Sequence, residues 1–297
     1  MPKLPSEIEI LVIGSINADL VIYPNEQIPG SNYAIASDFN FNLGGKGLNQ
    51  AISVEANGTK VALCGSVGTD IFGREILSQL HQFGVNTDFI KIDTSLNTGI
   101  GHVRIKPNRD YDTVVYNGAN DNLLNLNFDE MISANLKAII MNYEISAETI
   151  KAASNFYSSH GVKVFINYSP VLPSSTFDFA LADYAVMNLE EANQILKIEG
   201  LSAKDAAQKI HELTGKAVVI TEGSKGVTAV DLEGKLHSAS TPSVVIENTI
   251  GAGDTYLAVL ASELVGGKDF QSAISNAAIA ASKVCTSTYS YLTKKDK

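Results

Sequence analysis

Short apolar runs rich in β-branched residues recur along the chain: Ile10-Leu-Val-Ile13, Val61-Ala-Leu-Cys64, Ala138-Ile-Ile-Met141, Val162-Lys-Val-Phe-Ile166, Ala185-Val-Met187 and Ala217-Val-Val-Ile220. They hardly alternate with polar residues, which predicts strands buried on both faces. Between them, 46–56, 72–83, 147–159, 189–196 and 203–213 carry apolar residues at helical spacing. Strand and helix in alternation predict an α/β fold, a mainly parallel sheet flanked by helices.

Two regions break this rhythm. Ser37-Asp-Phe-Asn-Phe-Asn-Leu43 alternates with period two, and Gly99-Ile-Gly-His-Val-Arg-Ile105 does so less strictly. Both read as antiparallel strands buried on one face only. With Tyr111 to Tyr116 they predict a small antiparallel β lid over a cleft, formed by about 17–43 and 97–117. No repeat and no Pro/Ser-rich linker divides the chain, so it reads as a single domain, 1–297, carrying that lid, with a frayed tail at 293–297.

Composition narrows the class. An apolar fraction of 45% against 18% charged residues supports a large core and excludes disorder or a coiled coil. The net charge of −10 repels polyanions, so nucleic acid and anionic membranes are not expected partners. Cys64 and Cys285 lack any metal-binding spacing and read as reduced, mostly buried thiols. The first apolar run is too short for a signal sequence or a membrane span, so a cytoplasmic protein is expected.

Asn248-Thr-Ile-Gly-Ala-Gly-Asp254 opens the apolar stretch 255–264, which suits a buried helix. Its glycines then stand at a helix N-terminus, where free N–H groups and the positive end of the macrodipole hold an anion. Asp254 makes chemical sense there if it takes a proton from a hydroxyl while the N–H groups hold a transferring phosphoryl group. Taken alone, it serves equally as a helix cap. Leu43-Gly-Gly-Lys-Gly-Leu-Asn-Gln-Ala51 is a second glycine turn entering a helix, and its Lys46, Asn49 and Gln50 offer donors to hydroxyls. It lacks Walker A spacing, and no Gly-x-Gly-x-x-Gly follows the first strand, which removes the main support for a P-loop NTPase or a dinucleotide-binding dehydrogenase. In Gly14-Ser-Ile-Asn-Ala-Asp19, Asn17 and Asp19 fall on one side of an extended chain. They could bind adjacent hydroxyls of a polyol, or simply form an Asx turn.

These segments, in this order and together with Asn117-Gly-Ala-Asn120, Asn188-Leu-Glu-Glu191 and Thr221-Glu-Gly-Ser-Lys-Gly226, resemble the ribokinase (PfkB) family of carbohydrate kinases. The similarity runs from the first strand to about Tyr289, and the glycine turn holds a lysine, Lys46, that many relatives lack. The resemblance implies a ribokinase-like fold and transfer of the γ-phosphate of ATP to the primary hydroxyl of a pentose such as D-ribose. By that resemblance Asp254 is the catalytic base, and Gly251, Ala252 and Gly253 form its anion hole. Asn17, Asp19, Gly45, Lys46, Asn49 and Glu144 contact the sugar. Thr221, Gly223 and Gly226 pass the phosphates and ribose of ATP, Asn188 and Glu191 organise Mg²⁺ through water, and Asn276 stands beside adenine. Read without the resemblance, Glu144 is a surface residue after a strand and Glu191 a solvated helix residue.

Departures from the family pattern carry expectations too. The glycine turn usually begins with an aspartate that helps bind potassium; here Asn248 offers a weaker neutral oxygen. The segment Cys285-Thr-Ser-Thr-Tyr-Ser290 also replaces one that usually contains glycine, so potassium activation is expected to be weak or absent. Asn167-Tyr-Ser-Pro170 stands where Asn-Pro-Ala-Pro is common. The alternatives are a relative acting on deoxyribose, a nucleoside or a hexose derivative, and, in a different class, an inactive sugar or nucleotide sensor. Phe39, Phe41 and Leu43 offer an apolar lid face that either a second subunit or the cleft of the same chain covers.

Overall fold

The computed structural model describes residues 3–27, 33–106, 111–173 and 176–296. Parts of the predicted lid (28–32 and 107–110) and of the predicted tail (297) lie outside the described residues. The strands of the first half are β1 (Ile10–Ile13), β2 (Asn17–Gln27), β3 (Ala34–Gly44), β4 (Val61–Gly68), β5 (Asn86–Asp93), β6 (Gly99–Ile105) and β7 (Tyr111–Tyr116). Those of the second are β8 (Ala138–Asn142), β9 (Lys163–Asn167), β10 (Tyr184–Asn188), β11 (Ala217–Thr221), β12 (Val227–Val230) and β13 (Leu236–Ala239). The helices are α1 (Lys46–Ala56), α2 (Ile71–Leu80), α3 (Ala147–Ser159), α4 (Leu189–Leu196), α5 (Ala203–Thr214), α6 (Ala252–Val265) and α7 (Phe270–Val284).

Nine strands form one sheet in the order β13-β12-β11-β10-β9-β8-β1-β4-β5. All its pairings are parallel except β11 with β12 and β12 with β13. The apolar runs sit in this sheet because each buries both faces. Ile10 and Val12 join a core with α1, α6 and α7, whereas Leu11 and Ile13 join a second core with α3 and α5. From β1 the chain goes first to one side, to β4 and β5, and later to the other, beginning with β8. The crevice between β1 and β8 is therefore the topological switch point, where open α/β sheets bind ligands at the carboxyl ends of their strands.

A separate four-stranded sheet has the order β3-β2-β6-β7. Two antiparallel pairs, β2–β3 and β6–β7, meet along a parallel seam between β2 and β6. Its cross-strand register puts Val21 beside Val103, and these two pack with Ile105 over Ile250. On the opposite face, Phe41 stacks on Phe72 of α2 at 5.9 Å between ring centres. Of the apolar trio expected on one lid face, Leu43 is buried and Phe41 is engaged by α2; only Phe39, 55% exposed, stays open. The described part of the tail, 293–296, does not fray. Lys283 Nζ donates to the Asp296 carbonyl at 2.6 Å, and the Asp296 carboxylate accepts from the Thr293 N–H at 2.7 Å.

Five helices begin with a side-chain cap: Asp70, Ser146, Asn188, Ser202 and Asp269 each accept from a backbone N–H of the first turn. The N-caps of α1 and α6 are instead Gly45 and Gly251, and neither has a side-chain cap. These two helices keep their first N–H groups for something other than their own side chains, and both open onto the switch-point crevice.

Candidate active site

Asp254 lies in the first turn of α6 and is 4% exposed. Its carboxylate collects three amide donors from two elements, α1 and β9: Gln50 Nε2 at 3.1 Å and Asn167 Nδ2 at 3.3 Å to Oδ1, and Asn49 Nδ2 at 3.3 Å to Oδ2. Gly251 precedes it with φ 74°, a left-handed conformation suited to glycine, and a β-carbon there would collide with the Ser290 carbonyl. The turn thus presses against the segment after α7, and the amides of 251–253 stay free of side chains.

The predicted sugar contacts converge near this acid. Asn17 and Asp19 are buried on β2, and β-carbons at Gly44, opposite Asn17 on β3, or at Gly101, opposite Asp19 on β6, would strike the Asp19 carboxylate. Asn17 Oδ1 accepts from Asn120 Nδ2 at 2.8 Å, which fixes its amide. Glu144 is no solvated surface residue: its Oε2 accepts from the Ser15 hydroxyl at 2.5 Å and from the Lys46 backbone N–H at 3.1 Å. Gly45, with φ 86°, makes the turn that delivers Lys46 and Asn49 to the crevice. Asn49 Oδ1 is buried without a hydrogen-bond partner, an acceptor left open for a ligand.

Charge and burial work against each other here. Burial, reinforced by Glu144 and opposed by Lys46 and by the Asn49 and Gln50 amides, pushes Asp254 up to about 6. Burial, with Glu144 and Asp254 adding repulsion, pushes Asp19 up to about 7. Burial disfavours the Lys46 ammonium, but Asp254 and Glu144 outweigh it and hold the group above its ordinary range. A buried acid perturbed toward neutrality, beside a half-buried cation and a helix N-terminus without a side-chain cap, can take a proton from a hydroxyl and stabilise a developing negative charge.

Beside the α6 N-terminus lies a cavity of about 300 Å³. Thr221, Gly223, Gly226 and Gly253 stand at one end, and Tyr256, Ala278, Ala281 and Cys285 form an apolar wall. Asn276 is not part of it. The α7 residues facing the cavity follow a helical stripe through Ala278, Ala281, Ser282 and Cys285; Asn276 falls off that stripe, is exposed, and donates to Glu263 Oε2 at 2.6 Å. The expectation that it stands beside adenine is therefore corrected. Asn188 and Glu191 form a capping box, each accepting the other's backbone N–H at 2.8 Å. Asn248 Nδ2 donates to the Ser287 carbonyl at 2.8 Å while its Oδ1 accepts from the Ile250 N–H at 2.9 Å. Both ends of that amide are engaged by protein, and its Oδ1 offers a cation a neutral oxygen where a carboxylate would bring charge.

Sequence reasoning passed over Ser15, Asn142 and Asn167 as site residues. Asn142 and Asn167 are each the first polar residue after an apolar strand run, and they stand side by side in register at the carboxyl edge. Polar residues in that position were the available signal.

The model of the pfkB family of carbohydrate kinases matches residues 7–296. The chain belongs to that family. Within the pfkB family it is 31% identical over 288 residues to the ribokinase of Bacillus subtilis (strain 168), covering 93% of each chain. It is 32% identical over 286 residues to the ribokinase of Schizosaccharomyces pombe, covering 91% of this chain and 90% of the relative. The structure of Arabidopsis thaliana ribokinase complexed with ribose and ATP superposes with a TM-score of 0.86 at 25% identity, over 100% of this chain and 97% of the other. As a pfkB-family protein with a ribokinase-like fold, it is a carbohydrate kinase.

Proposed function

We propose that the protein transfers the γ-phosphate of ATP to the primary hydroxyl of D-ribose, giving D-ribose 5-phosphate. The observation that carries this reading is the buried Asp254 at an uncapped helix N-terminus, within a cluster of hydroxyl-binding side chains and beside the apolar cavity. Asp254 takes the hydroxyl proton as the sugar oxygen bonds to phosphorus and the bond to the β-phosphate oxygen breaks, releasing ADP. The N–H groups of Gly251, Ala252 and Gly253 receive the charge on the transferred group. Asn17, Asp19, Gly45, Lys46, Asn49 and Glu144 hold the sugar, and Asn188, Thr221, Gly223 and Gly226 flank the nucleotide.

No cluster of three or more His, Cys, Asp or Glu that could hold a metal exists among the described residues. That fits Mg²⁺, which binds through one or two carboxylates, phosphates and water. Glu191 Oε2 is taken by its own cap, so Oε1 is the oxygen left to hold a coordinated water. When bound there, Mg²⁺ would supply charge neutralisation on the phosphates. The neutral amide oxygen of Asn248, engaged by the Ile250 N–H, supports a kinase without strong potassium activation.

The chain works, in this reading, as one cytoplasmic domain whose small sheet is a lid that closes over the sugar and excludes water. The outer face of that sheet, with Phe39, Val114 and Tyr116 exposed, joins a homodimer. A second acceptor deserves a direct test, because deoxyribokinase of Salmonella typhi is 27% identical over 278 residues. A coupled ADP-release screen across pentoses, deoxypentoses, nucleosides and hexoses is expected to give the highest kcat/KM with ribose. A higher value with any other acceptor, or no turnover at all, overturns the assignment.

A further inference from the structure

Behind Asp254 runs a chain of buried amides with one direction. The Glu144 backbone N–H donates to Asn142 Oδ1 at 3.1 Å, Asn142 Nδ2 donates to Gln50 Oε1 at 3.2 Å, and Gln50 Nε2 donates to Asp254 Oδ1 at 3.1 Å. Its ends fix its polarity. A backbone N–H can only donate and an ionised carboxylate can only accept, so neither amide between them can turn round without losing both of its bonds. Gln50 and Asn142 are fully buried, where an unmade hydrogen bond is costly. Asn167 adds a second donor to the same oxygen at 3.3 Å. Oδ1 therefore holds two donors, while Oδ2 has only Asn49.

We propose that Gln50, Asn142 and Asn167 are positioning residues for phosphoryl transfer: their amides hold Oδ1 of Asp254 and leave Oδ2 as the oxygen that takes the hydroxyl proton. This rests on the reading of Asp254 as the base. The chain also ties the base to the backbone of Glu144, whose side chain belongs to the sugar pocket, so one rigid array sets both. The charged groups facing Asp254 are Lys46 from α1, Glu144 from the end of β8 and Asp19 from β2. None of the three positioning residues carries charge, so neutral substitutions leave that charge balance unchanged.

The test uses the full chain with Gln50→Met and Asn142→Leu, both neutral and close in volume to the residue replaced. The Asp254 carboxyl is titrated by ¹³C NMR without ligand, its resonance identified by loss in Asp254→Asn, and kcat is followed against pH with ribose and ATP. Removing the Gln50 donor is expected to raise the carboxyl midpoint and the acid limb of kcat by about one pH unit. Asn142→Leu, which touches neither Asp254 nor the sugar, is expected to shift both in the same direction by a smaller step, with KM for ribose changed less than kcat. A crystal structure with ribose and a non-hydrolysable ATP analogue is expected to find the sugar hydroxyl on Oδ2. Unchanged midpoints in the folded variants, or a hydroxyl seated on Oδ1, overturn the proposal. Should Asn142→Leu not fold, Asn142→Ala replaces it, and Gln50→Met decides independently. Absence of turnover with every sugar in the wild type defeats the functional reading alone, because the NMR titration needs no turnover.

Discussion

Asp19 and Asp254 are both buried, and the proposed chemistry needs Asp254 ionised. With Asp254 raised to about 6, kcat is expected to fall as pH drops through that value and to level off above it, as a rate profile under saturating sugar will test. Asp254→Asn should lower kcat by about 10²–10⁴-fold while calorimetry still detects sugar binding. The folded protein holds these protons more tightly than the unfolded chain, so the stability they contribute is full below an unfolded value of 3.8 and is lost as pH rises toward about 7 for Asp19. Asp19→Asn is accordingly expected to raise Tm more at pH 8 than at pH 5, with sugar affinity lost; an equal effect at both values would refute the burial argument. At Asn248 the prediction concerns ions. Turnover in sodium, potassium and caesium buffers should be equal, whereas Asn248→Asp, which removes the donor to the Ser287 carbonyl, should make activity respond to potassium.

At the scale of elements, the capping pattern separates scaffold from site. Helices α2, α3, α4, α5 and α7 spend a side chain on their first turn, while α1 and α6 do not. Gly251→Ala should therefore fail twice, through backbone strain of about 1–3 kcal/mol at positive φ and through collision with Ser290. Lower Tm and lost kcat measured together would bear this out. Most of these elements were legible: the runs at Ile10–Ile13 and Ala138–Met141 and the helices at 46–56 and 147–159 emerge as read. The antiparallel edge formed by β12 and β13 was not, because its short strands carry polar residues such as Thr228 and His237 on partly exposed faces. Asn276 was misread because sequence order alone does not say which side of a helix faces a cavity.

For the whole molecule, the negative charge argues that phosphate is held by local devices and not by a broad positive field. In the proposed reaction the amides of 251–253 are the main such device, and no helix among the described residues is long and apolar enough to cross a membrane. The exposed face of the small sheet carries the prediction about assembly. Light scattering should give a dimer mass, and Val114→Glu, at a residue 72% exposed, should give a monomer of unchanged fold. The three glycine turns and the order of the motifs made the reaction class readable from the chain. The amide array behind Asp254 was not readable, since its members come from α1, β8 and β9 and meet only when the sheet is assembled.

The sheet that divides the two cores leaves helices α3 and α5 without a residue assigned to the reaction. Helices α1 and α6 carry Lys46, Asn49 and Asp254, whereas α3 and α5 pack the core on the other face. Such a layout offers a place to attach things. A fluorophore or surface tether at an exposed α3 position such as Lys151 would sit on a helix that supplies no residue to the site. The enzyme could then be immobilised or built into a sugar sensor without crowding its cleft.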